Sequence, residues 1–230
     1  MNIVYLGGFG AGRSSVELTA EQLARSVGAL DYDAYTFNDR RRRLARIVVS
    51  INNADFIGTH SAGAIVAAQA EEASTHRSLR RRFALVNAPV PTSPTRLIIA
   101  SPAITAHMVG DAIRHPRTML PTVLFGASYT AEMLAHPFSN LRAVLGEEGE
   151  IPKFNSNEAA EYLNRRSSGV LVVDTEEDEY FERPRTDVEH LGHVGVKHLM
   201  LPGHHNRFPV DVEAMSLEAD LANFAQAPTL

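Results

Sequence analysis

Ala54-Asp55-Phe56-Ile57-Gly58-Thr59-His60-Ser61-Ala62-Gly63-Ala64-Ile65-Val66 is the stretch from which the fold is read. Its first half is a short apolar run into Gly58, the pattern of a buried strand. From Ala62 to Ala73 the chain is rich in alanine with acids at its end, the composition of a helix. Ser61 then lies on the turn between strand and helix, with small residues at Thr59, Ala62 and Gly63. A sharp turn that presents a nucleophile needs such neighbours, because the residues two before and two after the serine approach closely. A helix that begins Ala-Gly-Ala can also lie near a sheet, with the positive end of its dipole toward Ser61. A serine that merely caps the helix fits the same residues.

Outward from this turn, strand and helix alternate. Asn2 to Leu6 is an apolar strand ending on Gly7-Gly8-Phe9-Gly10-Ala11-Gly12, and Ser14 or Ser15 caps a helix that runs to about Val27. Leu30 to Phe37 alternates as a second strand, and Arg40 to Ser50 is a helix that opens with four arginines. Beyond the turn, Phe83 to Asn87, Gly169 to Val173 and Val196 to Leu201 are strands, and Asp211 to Ala225 is a closing helix. Strands separated by helices predict a mostly parallel sheet covered on both faces, an α/β fold in one domain spanning residues 1–230. In such a sheet functional residues gather beyond the carboxyl ends of the strands.

Pro89 to Pro152 breaks the alternation, with many prolines and helix-like pieces at Ala103–Ile113, Ala131–Ala135 and Leu141–Leu145. Residues 95–152 are read as a helical cap inserted over the sheet edge; a plain extension of the core is the other reading. Met108, Met119, Phe125, Met133 and Phe138 would give such a cap an adaptable apolar pocket for a small-molecule substrate with an apolar part. Asn157 to Arg166 returns to the core as a helix.

Composition narrows the function. Twenty-two basic against 27 acidic residues give a net charge of −5, which argues against a general nucleic-acid surface. No apolar run approaches the roughly 18 residues of a membrane span. The first residues enter a strand with no basic segment and apolar stretch of a signal peptide, so a cytoplasmic protein is expected. The absence of cysteine excludes disulfides, thiolate metal sites and a cysteine nucleophile. His190, His193 and His198 cluster in sequence but lack carboxylates at ligand spacing. They read as solvated or structural, and no metal or organic cofactor is expected.

The glycine loop after the first strand lacks the third glycine of a dinucleotide site and the Gly-Lys-Ser/Thr of a phosphate loop. It suits an oxyanion hole, where backbone N–H groups face a developing negative oxygen, and it equally suits a tight turn. The last two strands run into Asp174-Thr175-Glu176-Glu177-Asp178 and into Pro202-Gly203-His204-His205-Asn206. A serine, an acid and a histidine at successive strand ends stand in the chain order Ser, Asp, His. Surface acids and an exposed histidine turn would explain each piece singly.

With these pieces in order, the chain resembles the α/β-hydrolase fold superfamily, in its serine-nucleophile branch with a helical cap. The resemblance covers essentially the whole chain, with the family's first two strands absent. Gly7-Gly8-Phe9-Gly10 stands where members often carry His-Gly-Phe-Gly, and Thr59-His60-Ser61-Ala62-Gly63 matches the nucleophile turn apart from its threonine. Asn38-Asp39-Arg40-Arg41 departs from the Gly-His-Gly-x-Ser loop of many members. The resemblance implies Ser61 as nucleophile, His205 as base and Asp178 as the acid, with Phe9 and Ala62 N–H as the oxyanion hole. Asp178 is preferred over Asp174 because Thr175-Glu176-Glu177-Asp178 is similar to the family's Gly-x-x-Asp loop. His205 is preferred over His204 for the asparagine that follows it and its distance to the closing helix. The implied activity is ester hydrolysis through an acyl-enzyme, with thioester, lactone or carbon–carbon bond cleavage, acyl transfer and a non-catalytic binding module as alternatives.

Overall fold

The computed structural model describes residues 1–75, 80–114, 117, 119–145, 150–206 and 217–227. Six parallel strands form one sheet in the order β2-β1-β3-β4-β5-β6. The strands are β1 (Asn2–Leu6), β2 (Asp31–Tyr35), β3 (Phe56–His60), β4 (Arg82–Val86), β5 (Gly169–Glu177) and β6 (Lys197–His204). β3 and β4 are buried along their whole length, which is why they read as unbroken apolar runs rather than alternating ones.

Successive side chains of each strand feed two cores. Val4, Leu6, Ile57, Phe83, Leu85, Val170 and Val172 face one side, where they meet α2 (Arg40–Asn53), α3 (Gly63–Ala73), α8 (Ser156–Arg166) and α9 (Arg185–His193). Ile3, Tyr5, Phe56, Val86, Leu171 and Val173 face the other, against α1 (Arg13–Val27) and the last helix, α10 (Leu217–Gln226). The 211–216 part of the closing helix expected from sequence lies outside the described residues. Among the described residues, no helix is long and apolar enough to cross a membrane.

Between β4 and β5 lie α4 (Pro94–Arg114), α5 (Met119–Ala135), α6 (Pro137–Leu145) and the short α7 (Glu150–Lys153). They are longer than the helix-like pieces visible in sequence. Pro94 and Pro137 are first residues of their helices, where a missing N–H costs nothing and a fixed φ suits the first turn. Two of the prolines that looked like breaks are starts. This segment reaches the sheet's carboxyl edge through α5: a Cβ at Gly10 would fall 2.1 Å from the Tyr129 ring.

The helix after the turn is fixed at both ends. A Cβ at Gly63 would stand 2.1 Å from the main-chain oxygen of Leu6, so only glycine lets α3 lie this close to β1. At the far end Glu71, fully buried, accepts through Oε1 from Arg81 at 3.2 Å and from Arg166 at 3.0 Å.

Candidate active site

Ser61 occupies the turn between β3 and α3 with φ at +50°, a left-handed conformation unusual for a residue with a side chain. It is held there by neighbours on both sides. Its N–H donates to Val86 O at 2.8 Å, continuing the sheet, and its own oxygen accepts from Ala64 N at 3.1 Å, starting the helix. A Cβ at Gly8 would meet the Ser61 Cβ at 3.0 Å and the His60 carbonyl at 3.1 Å, so the glycine loop closes over the serine. Ala62, with φ −60° and ψ −9°, is the first residue past the turn. Neither Phe9 N–H nor Ala62 N–H donates to a main-chain acceptor among the described residues.

His205 lies one residue past the end of β6, and Asp178 one residue past the end of β5. Their side chains, 2 % and 4 % exposed, meet with Nδ1 of His205 2.8 Å from Oδ2 of Asp178. A carboxylate only accepts, so Nδ1 carries the proton and a neutral ring presents Nε2 as an acceptor. The carboxylate is itself pinned. Its Oδ1 accepts from Tyr180 N and Phe181 N, both at 2.9 Å, a turn local to the loop. The Tyr180 and Phe181 rings then stand edge-on to the imidazole at 4.8 and 5.4 Å between centroids. The His205 N–H donates to Glu179 Oε2 at 3.3 Å, so three consecutive residues after Asp178 grip the histidine.

Asp174 is employed elsewhere. Its strand continues to Glu177, so it sits within β5 rather than at the strand end expected from sequence. It accepts from Arg183 Nε at 2.7 Å and from His198 Nε2 at 2.9 Å. Burial alone would push this carboxyl up, but the His198 hydrogen bond and the Arg183 guanidinium outweigh it and hold it below the usual carboxylate range. Arg183, which also donates to Asn157 and Ser156, ties the loop carrying Asp178 back to the core. His204 is the last residue of β6, buried, with its ring 5.9 Å from that of His107 on α4. Two of the three histidines that lacked carboxylates nearby in sequence thus have one in the fold, His198 at Asp174 and His190 3.5 Å from Glu161.

Ser61, His205, Phe9 and Gly8 line one cavity of about 370 Å³. Its remaining wall is largely apolar and comes from the segment between β4 and β5, including Leu97, Phe125, Met133 and Leu141. No hydrogen bond joins Ser61 to His205 among the described residues; in unliganded sites such bonds are commonly long and tighten around substrate. The arrangement supplies a hydroxyl, an imidazole whose tautomer is set by a carboxylate, and free amides beside an apolar hollow.

Two residues singled out by no role in the sequence also touch this site. His60 is fully buried and its Nε2 lies 2.9 Å from the His205 main-chain oxygen. Burial, with His205 and His204 nearby, pushes its imidazole down to about 3, so it is neutral at ordinary pH. Asn87 follows β4 with φ at +47° and donates to the same oxygen at 2.8 Å. An asparagine directly after a buried apolar run is the one signal for it, since asparagine tolerates the left-handed region.

No family model and no curated protein matches the sequence. Solved structures do match. A hydrolase of the alpha/beta superfamily from Xanthomonas campestris pv. campestris aligns over 99% of both chains at 15% identity and a TM-score of 0.51. E-2-(acetamidomethylene)succinate hydrolase aligns over 99% of this chain and 92% of its own, at 13% identity and a TM-score of 0.61. Proline iminopeptidase of Mycobacterium smegmatis aligns over 98% and 89%, at 15% identity and a TM-score of 0.60. Identities this low speak for architecture alone, and on that ground the chain has the α/β-hydrolase fold.

Proposed function

We propose that the protein is a serine hydrolase that cleaves a small carboxylic ester through an acyl-enzyme. The observation that carries this reading is the buried His205–Asp178 pair, 2.8 Å apart, in the wall of the cavity that Ser61 lines. A surface histidine needs no such partner, and a plain binding pocket has no use for an imidazole locked in one tautomer. The similar structures add support, since those named above are hydrolases or a peptidase by their descriptions.

In the proposed reaction His205 Nε2 takes the Ser61 proton as the oxygen attacks the ester carbonyl. The Phe9 and Ala62 N–H groups, left without main-chain acceptors, take the developing negative oxygen. His205 returns the proton to the leaving alcohol, and water then repeats the sequence to release the acid. The helical segment from α4 to α7 acts as a cap whose apolar wall receives the acyl part. Thioesters and lactones react by the same steps, and exclusion of water by the cap would favour transfer to an alcohol instead.

Ser61→Ala tests the reading. It should keep the fold by circular dichroism and lose turnover of an activated short-chain ester by up to about 10⁶ in kcat. Turnover within tenfold of the unsubstituted protein would rule the serine hydrolase out, and an unsubstituted protein inert to all esters would favour a binding module on this fold.

A further inference from the structure

We propose that His60 and Asn87 are positioning residues, forming a two-donor clamp on the main-chain oxygen of His205 that sets the base relative to the nucleophile. The proposal rests on the hydrolase reading only for its effect on rate; the clamp itself is a statement about hydrogen bonds. His205 lies one residue beyond β6, so the strand's own hydrogen bonds no longer hold its carbonyl. That oxygen has two acceptor positions, and two side chains fill them: His60 Nε2 at 2.9 Å and Asn87 Nδ2 at 2.8 Å. A carbonyl accepts only, so His60 donates through Nε2–H and Asn87 presents its amide nitrogen.

Both donors come from the ends of the strands that build the rest of the site. His60 is the last residue of β3 and the neighbour of Ser61, so the residue before the nucleophile holds the backbone of the base. Asn87 continues β4: its N–H donates to Val173 O at 2.7 Å, and its Oδ1 accepts from Thr175 at 3.2 Å. Thr175 in turn accepts, through its own carbonyl, from Asp178 N at 3.3 Å. Nucleophile turn, acid loop and base loop are thereby joined at one carbonyl. Both side chains are buried, and an unmade hydrogen bond there would not be replaced by water. The imidazole of His205 is held by Asp178, but the ring's origin is its backbone, and a displacement of about 1 Å in a reacting group can cost on the order of 10² in rate.

The test uses substitutions chosen to leave the backbone undisturbed. Asn87→Gly removes the donor, and with it the acceptor of the Thr175 hydroxyl, while suiting the left-handed φ. His60→Leu removes the other donor at similar bulk, and His60→Gln returns an N–H near the Nε2 position. In each protein, labelled with ¹⁵N-histidine, the downfield Nδ1 proton of His205 is followed by NMR, and kcat and KM are measured on an activated ester. Asn87→Gly and His60→Leu should each broaden or shift that proton and lower kcat about tenfold or more, with KM nearly unchanged. His60→Gln should restore both readouts, and the double variant should lose more than the product of the single losses. An unchanged Nδ1 signal in both single variants, or His60→Gln no better than His60→Leu, would overturn the clamp. An unsubstituted protein inert to esters whose Nδ1 signal still responds to both substitutions would uphold the clamp and remove the hydrolase reading alone.

Discussion

Asp174 and Asp178 stand four residues apart, and their surroundings set them to different work. Asp178 has both oxygens committed within the site, one to two loop amides and one to His205. Asp174 neutralises Arg183, whose side chain is 1 % exposed, and holds His198. Exchanging each for asparagine should therefore give crossed results. Asp178→Asn should lower kcat by about 10⁴, since the imidazole loses the partner that fixes its tautomer, with little change in stability. Asp174→Asn should leave turnover within a few-fold but lower stability by about 3 kcal/mol, because Arg183 is left buried without its charge partner. Urea unfolding and ester turnover on both variants check this; a kcat loss larger for Asp174→Asn would contradict the assignment. In sequence Asp178 was set apart from Asp174 only by the resemblance of Thr175-Glu176-Glu177-Asp178 to the family's Gly-x-x-Asp loop; the strand end was read at Val173, four residues before its place at Glu177. The employment of His60 and Asn87 was not legible: both act on a carbonyl more than 100 positions away, and only the pairing of β3, β4 and β5 brings them to it.

Among elements, the turn from β3 into α3 was the easiest to read and the helical segment before β5 the hardest. The turn announces itself through small residues, and the reason is steric: Gly63 lies against the Leu6 carbonyl with no room for a methyl group. Gly63→Ala should push α3 off β1, costing roughly 1–3 kcal/mol or more, and should lower activity with it. Gly126 on α5 is the contrast, since nothing lies within 4 Å of a Cβ there. Gly126→Ala should stabilise by up to about 1 kcal/mol through the lower helix cost of alanine. Urea midpoints of the two variants should move in opposite directions; a Gly63→Ala protein as stable as its parent would mean that α3 does not pack as described. The segment from Pro94 to Lys153 was hard to read because its prolines resemble interruptions. Its boundaries became visible only where Pro94 and Pro137 proved to begin helices. The extension of β5 to Glu177 was missed for a related reason: Thr175-Glu176-Glu177 is polar, and pairing with β6, not burial, carries the strand through the exposed Glu176 and Glu177.

Taken whole, the molecule is a two-faced parallel sheet whose carboxyl edge gathers residues from β1, β3, β5 and β6 around one apolar cavity. The alternation of strands and helices made the sheet legible, and the rule that function collects at strand ends pointed to the edge before any contact was known. The depth and wall of the cavity were not legible, because they depend on how α4, α5 and α6 pack against the core. The central claim is that this edge activates Ser61. Reacting the protein with a fluorophosphonate probe, digesting it and identifying the modified residue tests that claim most directly. The account predicts a single labelled site, Ser61, with rapid labelling lost in His205→Ala and largely kept in His204→Ala. Labelling of another serine, or of none, would contradict it.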